Sequence, residues 1–454
     1  MKTCLKNGLV VLDDALIKTD ILFENGIITA IGNANAFDLK HDDDVVDCSN
    51  QIILPGLIDA HCHIQLDTGI FATKDNWEIG SCEAAKGGIT TVIDFVGPEP
   101  GEDLKHALDF RMQQAQSSII DYTFHMTALD ANEKTLKAIE QCPDWGISSL
   151  KLYTTYRPNY YLNDSDILTI LQTAKKVGLT TLIHCENDAI VSYETPKHAD
   201  ENICRAYPDM RPAIAEIEAA QRMIRLAQYA DARIVIAHNS CQKTARVVAQ
   251  ARAEGIQVFN ETAPQYLFLN ETDNKTSPEP WRYILQPPLR TVEDNHGLQS
   301  AVLFGDVDMI ITDHCNYTKE QKTTAASSIP GGLPGLQTLL PLTASIPGMT
   351  WTKVAKVLSR NPAKIYGLWG KKGAIAPGFD ADVVIIDDNI STIDEADLNG
   401  FANYTPFHGH SGRGIVRRVY RRGECIVKDG ECLAKSHSGL FIHANTIPTK
   451  KNDF

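Results

Sequence analysis

Nowhere in the 454 residues does an apolar run approach the ~20 residues needed to span a bilayer, so no membrane helix is expected. Basic charge is scarce: 43 Lys and Arg against 57 Asp and Glu leave a formal net charge of -14, with no basic patch. Long-range repulsion therefore argues against nucleic acid and membrane surfaces as partners. Cysteine occurs eleven times, an odd number scattered without CxxC pairs, which suggests neither a cysteine zinc site nor a disulfide framework and points to buried reduced thiols. The N-terminal MKTCLKNGLVVLDDALIKTD lacks the uninterrupted apolar stretch of a signal peptide, so a cytoplasmic protein is expected. Low-complexity linkers and solenoid repeats are absent too; only the final TKKNDF is polar enough to fray.

What is present is an ordinary globular composition, 43% apolar and 22% charged, in a chain long enough for two domains. Residues 1–50 alternate apolar and polar side chains and carry the turn dipeptides Asn7-Gly8 and Asn25-Gly26. The same texture returns over 373–440, in DADVVIIDD and GIVRRVYRRGECIV, with a turn at Lys428-Asp429-Gly430-Glu431. These two stretches are expected to form one small β-sandwich built from both chain ends, with 441–454 as a tail. Between them, residues 51–372 alternate short apolar runs with helical segments such as AIAEIEAAQRMIRLAQYA at 213–230. Eight such runs occur: IILPGLIDAHCHI, ITTVIDF, DYTFHMTAL, SSLKLYTTY, TTLIHCEN, RIVIAHNS, IQVFNETA and MIITDHC. Eight parallel βα units make an α/β fold of the (β/α)8 barrel type.

Such a barrel collects its reactive groups at the C-terminal ends of its strands. His61 and His63 end the first run two residues apart, so both imidazoles project to one face. His184 ends the fifth run, His238 the sixth and Asp313 the eighth. Four imidazoles and a carboxylate meeting at one mouth are poor packing material but a good metal donor set. Lys151, in SSLKLYTTY, would be repelled from such a centre as an ammonium. It either turns away to solvent or has reacted with carbon dioxide to give a carbamate, whose two oxygens can bridge two ions. His125 and His314 match no ligand position and read as structural or supporting, and Cys62 and Cys185 fall on the opposite strand faces.

These motifs resemble the cyclic amidohydrolases of the hydantoinase and dihydropyrimidinase family. The similarity runs through GLIDAHCHIQLD, DNWEIGSCEAAKGGITTVIDF, SSLKLYTTY, HCEN, RPAIAEIEAA, ETAPQYL, QPPLR, TDHC, GGLPGLQTLLPL and NPAKIYGLWGKKGAIAPGFDADVVIID. The resemblance implies two divalent ions per chain. His61, His63 and Asp313 would hold one, His184 and His238 the other, with carboxylated Lys151 and a hydroxide bridging both. Imidazole and carboxylate suit zinc, manganese, cobalt and iron alike, and zinc is the expectation. It further implies that Tyr156 hydrogen-bonds the substrate oxygen as it becomes negative and that the protein is a homotetramer. Metal-activated hydroxide would attack the ring amide, and Asp313 would carry its proton to the departing nitrogen.

Three positions bear on substrate. Dihydroorotases, which are similar too, place an arginine where Gln65 stands, so a neutral ring is expected rather than a carboxylate-bearing one. Gln286 occupies a position where the family has serine, and Gly331 one where it has asparagine. Leu66, Ile70, Phe71, Tyr153 and Tyr156 are expected to cover an apolar ring substituent. Allantoinase is the alternative activity, and a non-enzymatic assembly homologue the remote one, since such relatives lose metal ligands that this chain retains.

Overall fold

The computed structural model describes residues 2–69, 71–324, 329–398 and 400–447; the expectations for Ile70 and for the end of the tail lie outside these. Eight parallel strands pair in sequence order: Leu57–Asp59, Ile89–Val96, Asp121–Thr127, Ser149–Tyr153, Thr180–His184, Ile234–Ile236, Val258–Thr262 and Met309–Ile310. Seven of the eight lie within the eight apolar runs, and Ile89–Val96 extends one residue past its run. The first and last are drawn together by backbone bonds beyond their ends, Asp313 N–H to His61 O (2.9 Å) and His63 N–H to His314 O (2.8 Å). The Asp59 carboxylate accepts from the backbone and hydroxyl of Thr312 at the same seam. Three expected ligands therefore sit on the join that closes the barrel.

The helices pack as their periodicity requires. Ala213–Ala230 buries Ala215, Ala219, Ala220, Met223, Ile224, Ala227 and Ala230, a stripe at three- and four-residue intervals. It starts after Pro212 and ends where Asp231 turns left-handed (φ 52°).

A second, nine-stranded mixed sheet joins the two chain ends. Its order is Glu431–Cys432, Glu424–Lys428, Ser411–Arg421, Val383–Thr392, Ile52–Pro55, Lys2–Leu12, Ala15–Glu24 and Ile27–Gly32, with Asp44–Asp47 also pairing to Lys2–Leu12. It encloses its own core of Leu5, Val10, Ile21, Phe23, Ile28, Ile53, Val383, Ile385 and Tyr420, making the small β-sandwich domain. Asn25-Gly26 and Asp429-Gly430 are the expected turns, each with both residues at positive φ. Asn7-Gly8 is not a turn. It is a bulge inside Lys2–Leu12, where the register shifts between Leu5 and Gly8. A Cβ on Gly8 would lie 2.4 Å from Ile53 Cδ1, so glycine serves close strand approach there.

The first apolar run divides between domains. Ile52–Pro55 completes the β domain by pairing with both chain ends, and Leu57–Asp59 begins the barrel, so the crossing falls at Gly56 rather than at residue 51. The segment from 439 to 447 is laced across the barrel floor: Gly439 and Ala444 donate to Ser118 O and Gly146 O, Asn445 to Gly367 O and Ile447 to Gly178 O. Gly367 admits this strap, since a Cβ there would meet Asn445 O at 1.8 Å. Between the domains, Lys372 is buried with its ammonium 2.6–2.9 Å from Asp121, Asp380 and Asp382.

Candidate active site

At the barrel mouth the strands stop and the chain turns sharply. Gln65, Tyr156, His238 and Asp313 all have positive φ, between 31° and 74°, a conformation that non-glycine residues adopt at a cost and that collects at functional sites. Three of the expected donors form one group: His61, His63 and Asp313 offer ligand atoms within 4.8 Å of one another. His61 Nε2 and His63 Nε2 lie 3.3 and 3.4 Å from the same oxygen, Asp313 Oδ1. Those distances are long for good N–H···O bonds. They match the roughly 3.3 Å that separates ligand atoms held about 2.0–2.1 Å from a tetrahedral ion.

The other two histidines face each other, His184 Nδ1 to His238 Nε2 at 2.9 Å. The clusters are contiguous, with ring centroids of His61 and His238 5.3 Å apart. Burial holds His61 and His238 well below the usual histidine range, and the Lys151 charge adds to the effect, so both are neutral and able to donate lone pairs.

Two acids that sequence reading did not single out orient these rings. Glu261, fully buried on the seventh strand, has Oε1 2.5 Å from His61 Nδ1. Burial lifts Glu261 to about 8 and the Lys151 charge opposes the rise, so any cation among these nitrogens favours the carboxylate and an Nδ1–H tautomer of His61. Glu186 Oε2 lies 2.7 Å from His184 Nε2, leaving Nδ1 for the cluster. Arg211 binds both oxygens of Glu186 and with His184 draws its carboxyl down to about 2. Glu186 was within reach of the two-residue strand alternation that found His63. Arg211 lies 25 residues further on, and no local pattern connects it to the site.

Lys151 does not turn away to solvent. It is 1% exposed, and its Nζ lies 5.2 Å from the Phe95 ring centre and 5.1 Å from that of Tyr153. Phe95 in turn contacts both His61 and His63, with centroids 4.6 Å apart in each case. Burial draws the Lys151 amine down to about 8, so an appreciable fraction is uncharged near neutrality, the form that adds to carbon dioxide. Tyr156 lies against His184 (4.8 Å between centroids) and under the Arg211 guanidinium (5.2 Å). Burial keeps its phenol far above the usual range, hence protonated and a donor.

The remaining expected contacts divide. Gln286 and Gly331 touch each other, with a Cβ on Gly331 falling 3.2 Å from Gln286 Cγ. Gln65 is engaged locally: its Oε1 accepts from Trp77 N–H at the start of helix Trp77–Lys86, and its carbonyl accepts from Arg111. His125 bonds Ser149 and Ala60 O, and His314 lies 3.3 Å from Asp75, both supporting the barrel from within. Cys62 lies against Asp94, away from the histidines.

The amidohydrolase family profile matches residues 52–426, from the last strand before the barrel into the β domain. The chain belongs to the amidohydrolase family. Members of that family are hydrolases that generally use divalent metal ions, and the His61, His63 and Asp313 group suits such an ion. Over 97% of its length the chain is 36% identical to D-phenylhydantoinase from Escherichia coli O9:H4, covering 98% of that protein. The crystal structure of dihydropyrimidinase from Brevibacillus agri superposes with a TM-score of 0.94 at 30% identity, covering 98% of this chain and 99% of that one. An L-hydantoinase from Arthrobacter aurescens superposes at 0.87 with 27% identity, over 97% and 99% of the two chains. This amidohydrolase thus shares both barrel and β domain with these relatives.

Proposed function

We propose that the protein hydrolyses the ring amide of a neutral cyclic ureide, a hydantoin or dihydropyrimidine, with two divalent ions, zinc by expectation. The observation that carries this reading is the convergence of His61, His63, His184, His238, Asp313 and buried Lys151 on one mouth, with His61 and His63 at ion-sharing distance of one Asp313 oxygen and His184 facing His238 at 2.9 Å. His61, His63 and Asp313 would hold one ion and His184 and His238 the other, with Lys151, carboxylated on Nζ, between them. Bound ions would lower the pKa of water and polarise the substrate carbonyl. Asp313 receives the proton of the attacking water and delivers it to the ring nitrogen, which leaves as the NH2 of a carbamoyl group when the C–N bond breaks and a carboxylate forms. Tyr156 donates its O–H to the oxyanion, and its left-handed backbone and the Arg211 contact hold it in place beforehand.

Support for an apolar ring substituent comes from the aromatic surface near Tyr156. Tyr153 packs edge-on against Tyr156 and Tyr160 (5.9 and 5.2 Å), and Phe71 against Tyr317 (6.3 Å). Covering a substituent there is worth roughly 25 cal/mol per Å² of apolar area. Arg211, a cation near the mouth, is already neutralised by Glu186, so it offers a substrate carboxylate no free charge. The reading includes a homotetramer in the cytoplasm.

The test is a panel of hydantoin, 5-substituted hydantoins, dihydrouracil, allantoin and dihydroorotate, with elemental analysis of the same sample. We expect two ions per chain, highest kcat/KM on a 5-substituted hydantoin or dihydropyrimidine, and poor turnover of dihydroorotate. Dihydroorotate hydrolysed as well as the best hydantoin would defeat the substrate assignment. One ion or none in fully active protein would defeat the two-ion mechanism.

A further inference from the structure

Eight of the eleven cysteines are buried, whereas Cys82, Cys425 and Cys432 are partly exposed. Two of those three meet. Cys82 lies on the barrel helix Trp77–Lys86 and Cys432 ends Glu431–Cys432, the last strand of the β domain, and the helix packs on that strand. Both side chains rest on the edge of the barrel core, while Cys425 rests on the separate core of the β domain. At this seam the two thiols are hydrogen-bonded to each other, and the backbone N–H of Ala434 donates to the Cys432 sulfur. Lys86, one helical turn beyond Cys82, brings its positive charge to both sulfurs.

These neighbours treat the two sulfurs differently. The Cys82 hydrogen bond draws the Cys432 thiol down to about 7, and Ala434 N–H and the Lys86 charge add to it against the cost of burial. Cys82 is pushed up, first by its bond to Cys432 and then by burial. Cys432 is therefore the sulfur that ionises near neutrality, and Cys82 is a protonated thiol held against it. Cys425, raised by burial, bonds Val427 O instead. A thiolate beside a second thiol from a distant part of the chain is the arrangement from which a disulfide closes.

We propose that Cys82 and Cys432 form a reversible disulfide, made by exchange with a low-molecular-weight disulfide, that staples the barrel to the β domain. The Cys432 thiolate attacks one sulfur of the small disulfide and expels the other half as a thiolate. Cys82, giving up its proton, then attacks the Cys432 sulfur and expels the second half. The protein loses two electrons and two protons, and the small disulfide is reduced to two thiols. A reducing compartment keeps the pair open. Nearly the whole chain lies between the two residues, so the cross-link restricts the unfolded state over a very long loop and raises stability.

The experiment uses the metal-loaded full chain, incubated with glutathione disulfide near neutral pH. Free thiols are then blocked with a maleimide, and the unreduced protein is digested and mapped by mass spectrometry. We expect one peptide pair joined through Cys82 and Cys432, lighter by two hydrogens and reopened by dithiothreitol, and a higher melting temperature for the cross-linked form. Cys82→Ser should stop with glutathione attached to Cys432, Cys432→Ser should leave residue 82 free of glutathione, and Cys425→Ser should cross-link as wild type does. Iodoacetamide should alkylate Cys432 in the reduced protein roughly tenfold faster than Cys425. The wild-type map alone decides the outcome, whether or not each variant folds. Folded wild type that yields no Cys82–Cys432 peptide, that takes up glutathione at Cys425 as readily as at Cys432, or that melts identically when cross-linked and reduced overturns the proposal.

Discussion

Replacing Glu261 by Gln tests whether the second layer of the site sets the first. Glu261 Oε1 lies 2.5 Å from His61 Nδ1, and both side chains are out of solvent. A hydrogen bond with a charged partner in such a place is worth ~1.5–3 kcal/mol, which is about 10–150-fold in an equilibrium constant. Glutamine keeps the shape and loses the charge. Its amide can also donate to Nδ1, and the proton would then sit on Nε2, the nitrogen needed for the ion. Outer partners of metal-binding histidines elsewhere are worth about 10–100-fold in affinity, so the two estimates agree. We expect Glu261→Gln to bind the ion that His61 would hold 10–100-fold more weakly, roughly in line with those values, in competition with a chromogenic chelator. Activity should return as the metal is raised, and the melting curve of the apoprotein should move little. Retention of metal affinity within about twofold would refute the claim that Glu261 fixes the His61 tautomer.

Other expectations follow from the same geometry. On the proposed two-ion reading, Lys151→Ala should lose bound metal and most activity and recover part of it with short-chain carboxylic acids; an unmodified amine in the crystal structure of active, metal-filled protein would contradict carboxylation. Tyr156→Phe should lower kcat by about 10²–10³ with KM little changed, as for loss of an oxyanion donor; a change confined to KM would reassign it to ground-state binding. Lys372→Met should destabilise the fold by about 3–5 kcal/mol in denaturant titration, because three carboxylates lose their buried counter-charge. The Lys372 ammonium is held above its ordinary value of 10.5 by those aspartates, so its contribution is complete below that pH and fades only as pH rises through the raised value. Wild-type stability that shows no Lys372-dependent loss in strongly alkaline solution would contradict this.

Much of the fold was legible in one dimension because parallel strands buried on both faces are continuous apolar runs, and eight were present. The candidate donors were legible for a related reason: a polar residue ending such a run has to lie at the mouth. The spacing of His61 and His63 even gave their shared face. Local pattern misled where one signal has two uses. Asn7-Gly8 has the composition of a hairpin turn, yet the approach of Ile53, distant in sequence, makes it a bulge. The run beginning at Ile52 reads as one strand but is shared between two sheets, because both chain ends are needed to pair with Ile52–Pro55.

By itself, then, the sequence determined the barrel, the β domain from both ends and the identity of the metal-binding candidates, since each follows from hydrophobic periodicity and residue type. Only the tertiary structure decided what surrounds them. Glu261 reaches His61 across 200 residues, Arg211 reaches Glu186, Lys372 gathers aspartates from both domains, and Gln286 meets Gly331 across two loops. The physical reason is that charge pairing, tautomer choice and steric competition depend on through-space distance, which the closure of the barrel sets.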